Sequence, residues 1–158
     1  MTQRIINRLL KDFYIAPEVN LIVNGDFENG DTGWSLFNDA AIDTGTGKGG
    51  TASMKLPPYT VAGFSRGDLP VENGVRYRFG FWAYAPEATS KLLYPTLGDN
   101  VEQEYYNDYI PFLTGGTWIY WSFEFDSLAD NPLAISFSRV DDAAGNIYID
   151  DMELVAIG

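Results

Sequence analysis

Asn20-Leu21-Ile22-Val23-Asn24-Gly25-Asp26-Phe27-Glu28, followed by Gly33-Trp34, is the stretch on which the reading of this 158-residue chain turns. Leu21 and Val23 alternate with their neighbours as in a half-buried strand. Asn24-Gly25 bends the chain, because both residues tolerate φ > 0. Phe27 is expected to turn inward, leaving Asp26 and Glu28 together on the other side. Two carboxylates beside a Gly-rich turn suit a hard cation such as Ca²⁺. Far downstream, Gly145-Asn146-Ile147-Tyr148-Ile149-Asp150-Asp151-Met152-Glu153-Leu154-Val155 is a second strand pattern with paired carboxylates. A strand near each end predicts that first and last strands pair side by side.

Composition narrows what such a chain can do. Hydrophobic residues make up 46% and aromatics 15%, enough for one domain with a real core. Sixteen Gly and eight Pro supply the turns of an all-β chain. The net charge of −12 argues against nucleic acid as a partner, since phosphate contacts need Lys and Arg. There is no Cys and no His, which excludes disulfides, thiol chemistry and a Ser-His-Asp triad. No run of about 18 apolar residues is present, so no membrane-spanning helix is expected. Residues 1–14 lack the apolar core and cleavage site of a signal peptide.

Turn signals then divide the chain. Strands are expected at 20–24, 51–57, 59–71, 75–85, 91–97, 117–126, 133–141 and in the closing segment. Glu72-Asn73-Gly74 reads as a hairpin. Residues 30–50 and 98–116 read as long loops, the second rich in Tyr and acid. Trp34 reads as a core anchor. The expected fold is an all-β antiparallel sandwich over residues 19–158, preceded by an arm, 1–18.

Four stretches carry a resemblance: "NLIVNGDFENGDTGW", "LPVENGVRYRFGFWAYA", "GGTWIYWSFEF" and "GNIYIDDMELV", in this order. Together they resemble carbohydrate-binding modules of the galactose-binding-like β-sandwich (jelly-roll) kind, over about Asn20 to Val155. The resemblance implies a structural Ca²⁺ held by an acidic residue after the first strand and an Asp of the last, here Glu28 and Asp150. Strand parity places Asp150 with Met152 and Leu154, facing inward. The alternative is that Glu28 and Asp150 only accept backbone amides.

Alternation in 75–85 and 117–126 sends Phe79, Phe81, Trp121, Phe123 and Phe125 to the core. The opposite faces carry the candidate sugar platform, Trp82, Tyr84, Tyr120 and Glu124: rings for C–H faces, polar groups for hydroxyls. Tyr105, Tyr106 and Tyr109 are further candidates, for glycan or protein contact. No carboxylate pair sits in a pocket-like apolar context, so a non-catalytic protein is expected.

In the arm, Ile5, Ile6, Leu9, Leu10 and Phe13 recur at helical spacing, with Arg4, Arg8 and Lys11 opposite. Up to Asp12 the arm carries +2, and the rest of the chain carries −14. A short amphipathic helix needs something to pack on. The expectation is a docking peptide for a phage capsid or tail protein or for sister copies in a homo-oligomer. The whole is then a virion accessory protein meeting a host-surface glycan, or a purely structural assembly protein with the same sandwich.

Overall fold

The structure, a computed structural model, describes residues 18–89, 93–99, 101, 103–111, 113–128, 130–140 and 145–158. The arm and the turn at 142–144 lie outside the described residues, apart from Glu18. The described chain is built from ten strands: β1 (Ser35–Phe37), β2 (Ala41–Asp43), β3 (Ser53–Leu56), β4 (Gly63–Leu69), β5 (Arg76–Tyr84), β6 (Leu93–Gly98), β7 (Glu104–Asn107), β8 (Ile119–Asp126), β9 (Leu133–Arg139) and β10 (Ile147–Ala156). They form two antiparallel five-stranded sheets. Sheet I has the order β1-β4-β9-β6-β7 and sheet II the order β2-β3-β10-β5-β8. The expected sandwich is therefore present.

Between the sheets lies an aromatic spine. Phe64 of β4 stacks on Phe137 of β9 at 4.9 Å, and Phe137 meets Phe81 of β5 edge-on at 4.8 Å. Phe27 and Trp34 extend the spine, 5.5 Å apart, each packed on Phe64. All five are buried. The alternation expected in 75–85 holds: Tyr77, Phe79, Phe81 and Ala83 are buried, while Arg78, Trp82 and Tyr84 are half-exposed on the other side. Trp121 and Phe123 of β8 are partly buried against the same core.

Several elements differ from expectation. Residues 20–24 form no strand. The segment does run beside β10, through Leu21 N–H to Leu154 O at 2.8 Å and Met152 N–H to Gly25 O at 2.9 Å. Between these the Asn20 side chain replaces ladder bonds: its Oδ1 accepts from Leu154 N–H and Ile22 N–H, and its Nδ2 donates to Met152 O. The inward residue is Ile22, and Val23 is exposed, the reverse of the expected parity. Asn24, at φ 60°, then turns the chain.

The Glu72-Asn73-Gly74 turn is not a hairpin: it carries the chain from β4 of sheet I to β5 of sheet II. The expected loops contain short strands, β1 and β2 in 30–50 and β7 in 98–116. Strand β6 runs through Pro95, which pairs with Phe137 of β9, and β7 pairs with it only from Thr96 onward.

Candidate functional site

On the outer face of sheet II the structure assembles most of the expected platform. Trp82 and Tyr120 are brought together at 5.3 Å, and Tyr84 joins Trp118 at 5.4 Å and Tyr148 at 5.9 Å. Yet these groups already hold one another. A Cβ on Gly80 would stand 2.2 Å from the Tyr120 hydroxyl, so the tyrosine lies across β5 where glycine leaves room. Its hydroxyl donates to Glu153 Oε1 at 2.5 Å, and burial together with this carboxylate raises its pKa. The Lys48 ammonium sits 4.3 Å from the Trp82 ring centroid, a cation–π contact that covers the indole. Glu124 lies apart from these rings, paired with Arg76 at 3.1 Å.

The carboxylates come next. Opposite β5, β10 bulges: Asp150 pairs with Trp82 and Glu153 with Gly80, so two residues, Asp151 and Met152, face Phe81 alone. Asp151 takes φ 45° to make the bulge. Asp150 therefore falls on the outer, Trp82 side of the sheet, not on the core side with Leu154. It is nevertheless fully buried, because the loop between β2 and β3 covers it. Lys48 N–H donates to its Oδ2 at 2.6 Å and Asp151 N–H to its Oδ1 at 2.7 Å. Burial, with help from Asp151 and Asp26, pushes its pKa up to about 6.

Glu28 serves the same loop from outside. Its Oε1 accepts Thr51 N–H and Ala52 N–H at 2.7 and 2.8 Å, and its Oε2 accepts the Thr51 hydroxyl. These amides hold its pKa below the usual carboxylate value. Among the described residues no three acidic groups are gathered into a metal-binding cluster. The acidic groups near the Asp150 carboxylate are Asp151 and Asp26, and carboxylate oxygens are the donor type that Ca²⁺ takes.

Sheet I carries a surface that the sequence reading missed. Cross-strand register lines up Phe37, Gly63, Ser138 and Tyr94 in one row and Ser35, Ser65, Ser136, Thr96 and Asn107 in the next. A groove of about 290 Å³ opens on this face, lined by Thr96, Gly98, Val101, Gln103, Glu104 and Ser136. Beside it Tyr94 packs against Tyr109 at 4.8 Å and donates its hydroxyl to Asn107, which in turn donates to the lining residue Glu104 at 2.8 Å. On the same face, three strands away from β6, Phe37 lies over Gly63, where a Cβ would stand 2.3 Å from its ring. Tyrosine rings beside a groove of hydroxyls, an amide and a carboxylate match the chemistry of a sugar. Of the three loop tyrosines, Tyr109 belongs here. Tyr105 and Tyr106 point inward, onto Phe125 and onto Trp121 and Phe123. The signal was alternation of small and polar residues, Ala134, Ser136 and Ser138 beside Tyr94, Thr96 and Gly98. It means nothing until β9 and β6 are known to be neighbours.

The sequence pattern of a family described as "Carbohydrate binding domain" matches residues 19–136. The chain belongs to that family. No curated protein sequence matches it. Among solved structures, this carbohydrate binding domain is similar to "Family 16 Carbohydrate Binding Module-2", at 24% identity and TM-score 0.67, over 86% of this chain and 99% of that one. It is similar to TmCBM61, solved with β-1,4-galactotriose, at 19% identity and TM-score 0.69, over 88% and 99%. It is also similar to part of tailspike protein 4 of bacteriophage CBA120, at 17% identity and TM-score 0.66, over 88% of this chain and 22% of that one. At these identities the likeness shows the sandwich alone.

Proposed function

We propose that this carbohydrate binding domain is a non-catalytic glycan-binding protein whose ligand lies in the groove of sheet I. The observation that carries the reading is the groove itself, lined by Thr96, Ser136, Gln103 and Glu104, with the Tyr94–Tyr109 pair beside it and joined to Glu104 through Asn107. On sheet II, where Trp82, Tyr84, Tyr120 and Glu124 were expected to serve, Lys48 covers Trp82, Glu153 holds Tyr120, and Glu124 is paired with Arg76. Solved relatives of the fold include a module described in complex with a galactotriose, which supports a sugar as the ligand class.

The wider role proposed is that of a virion accessory protein, a decoration or fibre component. Residues 1–18 would anchor it to a phage capsid or tail protein or to sister copies. Its support is the basic, amphipathic arm on an acidic body and the occurrence of the same sandwich inside a phage tailspike. A structural Ca²⁺ held by Glu28 and Asp150 belongs to the same proposal. It would tie the β2–β3 loop to β10, and it is supported by the fully buried Asp150 carboxylate among acidic neighbours.

The test is a printed glycan array probed with the wild-type chain, Tyr94→Ala and Trp82→Ala. Binding that survives Trp82→Ala and is lost in Tyr94→Ala supports the groove. Binding lost only in Trp82→Ala moves the site to sheet II. No binding by the wild type leaves the structural assembly role.

A further inference from the structure

We propose that Asp99, held by Asn131, is a positioning residue for glycan binding: it fixes the wall of the groove that carries Val101, Gln103 and Glu104 in its ligand-ready shape. The inference rests on the glycan reading of the groove and extends it from the lining to what holds the lining. The wall is the turn from Asp99 to Gln103, which joins β6 to β7. Asp99 itself is 4% exposed, too buried to touch a ligand. Its Oδ1 accepts Val101 N–H and Gln103 N–H, both at 2.9 Å, and Asp99 N–H donates to Gln103 O at 3.0 Å. One carboxylate oxygen thus closes the turn that presents the lining.

A turn closed this way could rest on Asn as well as on Asp. What singles out the carboxylate is its second oxygen. Asn131, in the β8–β9 connection, donates its Nδ2–H to Asp99 Oδ2 at 3.0 Å. An amide at position 99 would turn its own donor toward that donor. A second bond ties the same two segments: Leu128 N–H donates to the Tyr105 hydroxyl at 3.0 Å. The residue before Asp99 is equally specified, because a Cβ on Gly98 would stand 2.7 Å from Gln103 O, at the point where the β6–β7 register shifts. The lining itself has little packing to hold it, Val101 being 69% exposed. A wall that ordered only on binding would lose affinity to the conformational freedom given up. Asp99 and Asn131 remove that cost before the ligand arrives.

The experiment compares the wild type, Asn131→Ala, Asp99→Asn and the reciprocal swap Asp99→Asn/Asn131→Asp. Each is probed on a printed array of neutral oligosaccharides, and hydrogen exchange of the Val101 and Gln103 amides is followed by NMR, with a melting curve to show that each protein is folded. Asn131 lies outside the groove lining, and Asn131→Ala leaves the turn's own bonds in place, so it serves should Asp99→Asn fail to fold. Both single variants are expected to weaken binding about threefold to tenfold and to speed exchange of the two amides. The swap again sets a donor against an acceptor and should restore both readouts. Faster exchange with wild-type binding overturns the positioning role and leaves Asp99 a structural residue. Unchanged exchange in Asn131→Ala overturns the clamp. A swap that restores exchange but not binding overturns the link between wall and ligand. No binding by the wild type overturns the glycan reading of the groove and this role with it, whatever the exchange shows.

Discussion

Gly25 and Met152 touch backbone to backbone: a Cβ on Gly25 would lie 2.3 Å from the Met152 carbonyl oxygen, while Met152 N–H donates to Gly25 O at 2.9 Å. The contact joins the first turn of the sandwich to the bulge of β10. No side chain larger than hydrogen fits there unless the two segments part. Gly25→Ala is therefore expected to destabilise the fold by about 2–4 kcal/mol, the range of a forced backbone shift plus a lost hydrogen bond. Denaturant unfolding checks this; a change under about 0.5 kcal/mol, typical of surface sites, would show that the segments part freely.

Asp150 sets a pH dependence. Its folded pKa, about 6, lies above the ordinary 3.8, so the native state favours the protonated form. The sign follows: the contribution is fully present below about pH 4 and is lost as pH rises through about 6. The loss is about 3 kcal/mol at pH 7 in the absence of divalent cations. Asp150→Asn, which cannot ionise, should gain by that amount relative to wild type between pH 4 and pH 7. Parallel stability curves for the two proteins in EDTA would refute it.

The proposed Ca²⁺ offsets the same penalty. At pH 7, millimolar Ca²⁺ should raise the Tm of the wild type over its value in EDTA, by mass action on the native state. At pH 4 the effect should vanish, because a carboxylate must be deprotonated to bind. Equal melting curves with Ca²⁺ and EDTA at pH 7, for wild type and Glu28→Gln alike, leave both carboxylates as acceptors of backbone amides.

Removing residues 1–18 should leave the sandwich folded. The one ion pair this breaks among the described residues, Glu18 with Arg78 at 2.8 Å, is solvent-exposed and worth about 0–1 kcal/mol. The same deletion should reduce the molar mass by light scattering if the arm joins sister copies, or abolish incorporation into a particle if it joins a capsid or tail. A truncated chain with unchanged assembly and attachment excludes the arm as the anchor.

Filling the groove should separate binding from folding. Ser136 is half-buried on the outer face of β9, where a large side chain can extend into the groove. Ser136→Trp is expected to keep Tm within about 4 °C and abolish glycan binding. Retained binding would place the ligand elsewhere.

What the sequence determined by itself was local. Alternation in 75–85 and 117–126 sorted Phe79, Phe81 and Phe125 to the core, because side chains on a strand take opposite faces at a period of two. Phe27, Trp34 and the strained turn at Asn24 were likewise legible from residue type. The tertiary structure decided everything that depends on which strands are neighbours. Parity along the last strand assigned Asp150 to the core, but the bulge at Asp151 and Met152 turned it outward, where the β2–β3 loop covered it. Alternation made Trp82 and Tyr120 look available, but Lys48 and Glu153, from other segments, had already engaged them. The groove joins β6 to β9, some forty residues apart in the chain, so Thr96 and Ser136 became one surface only when long-range hydrogen bonds set the sheet order.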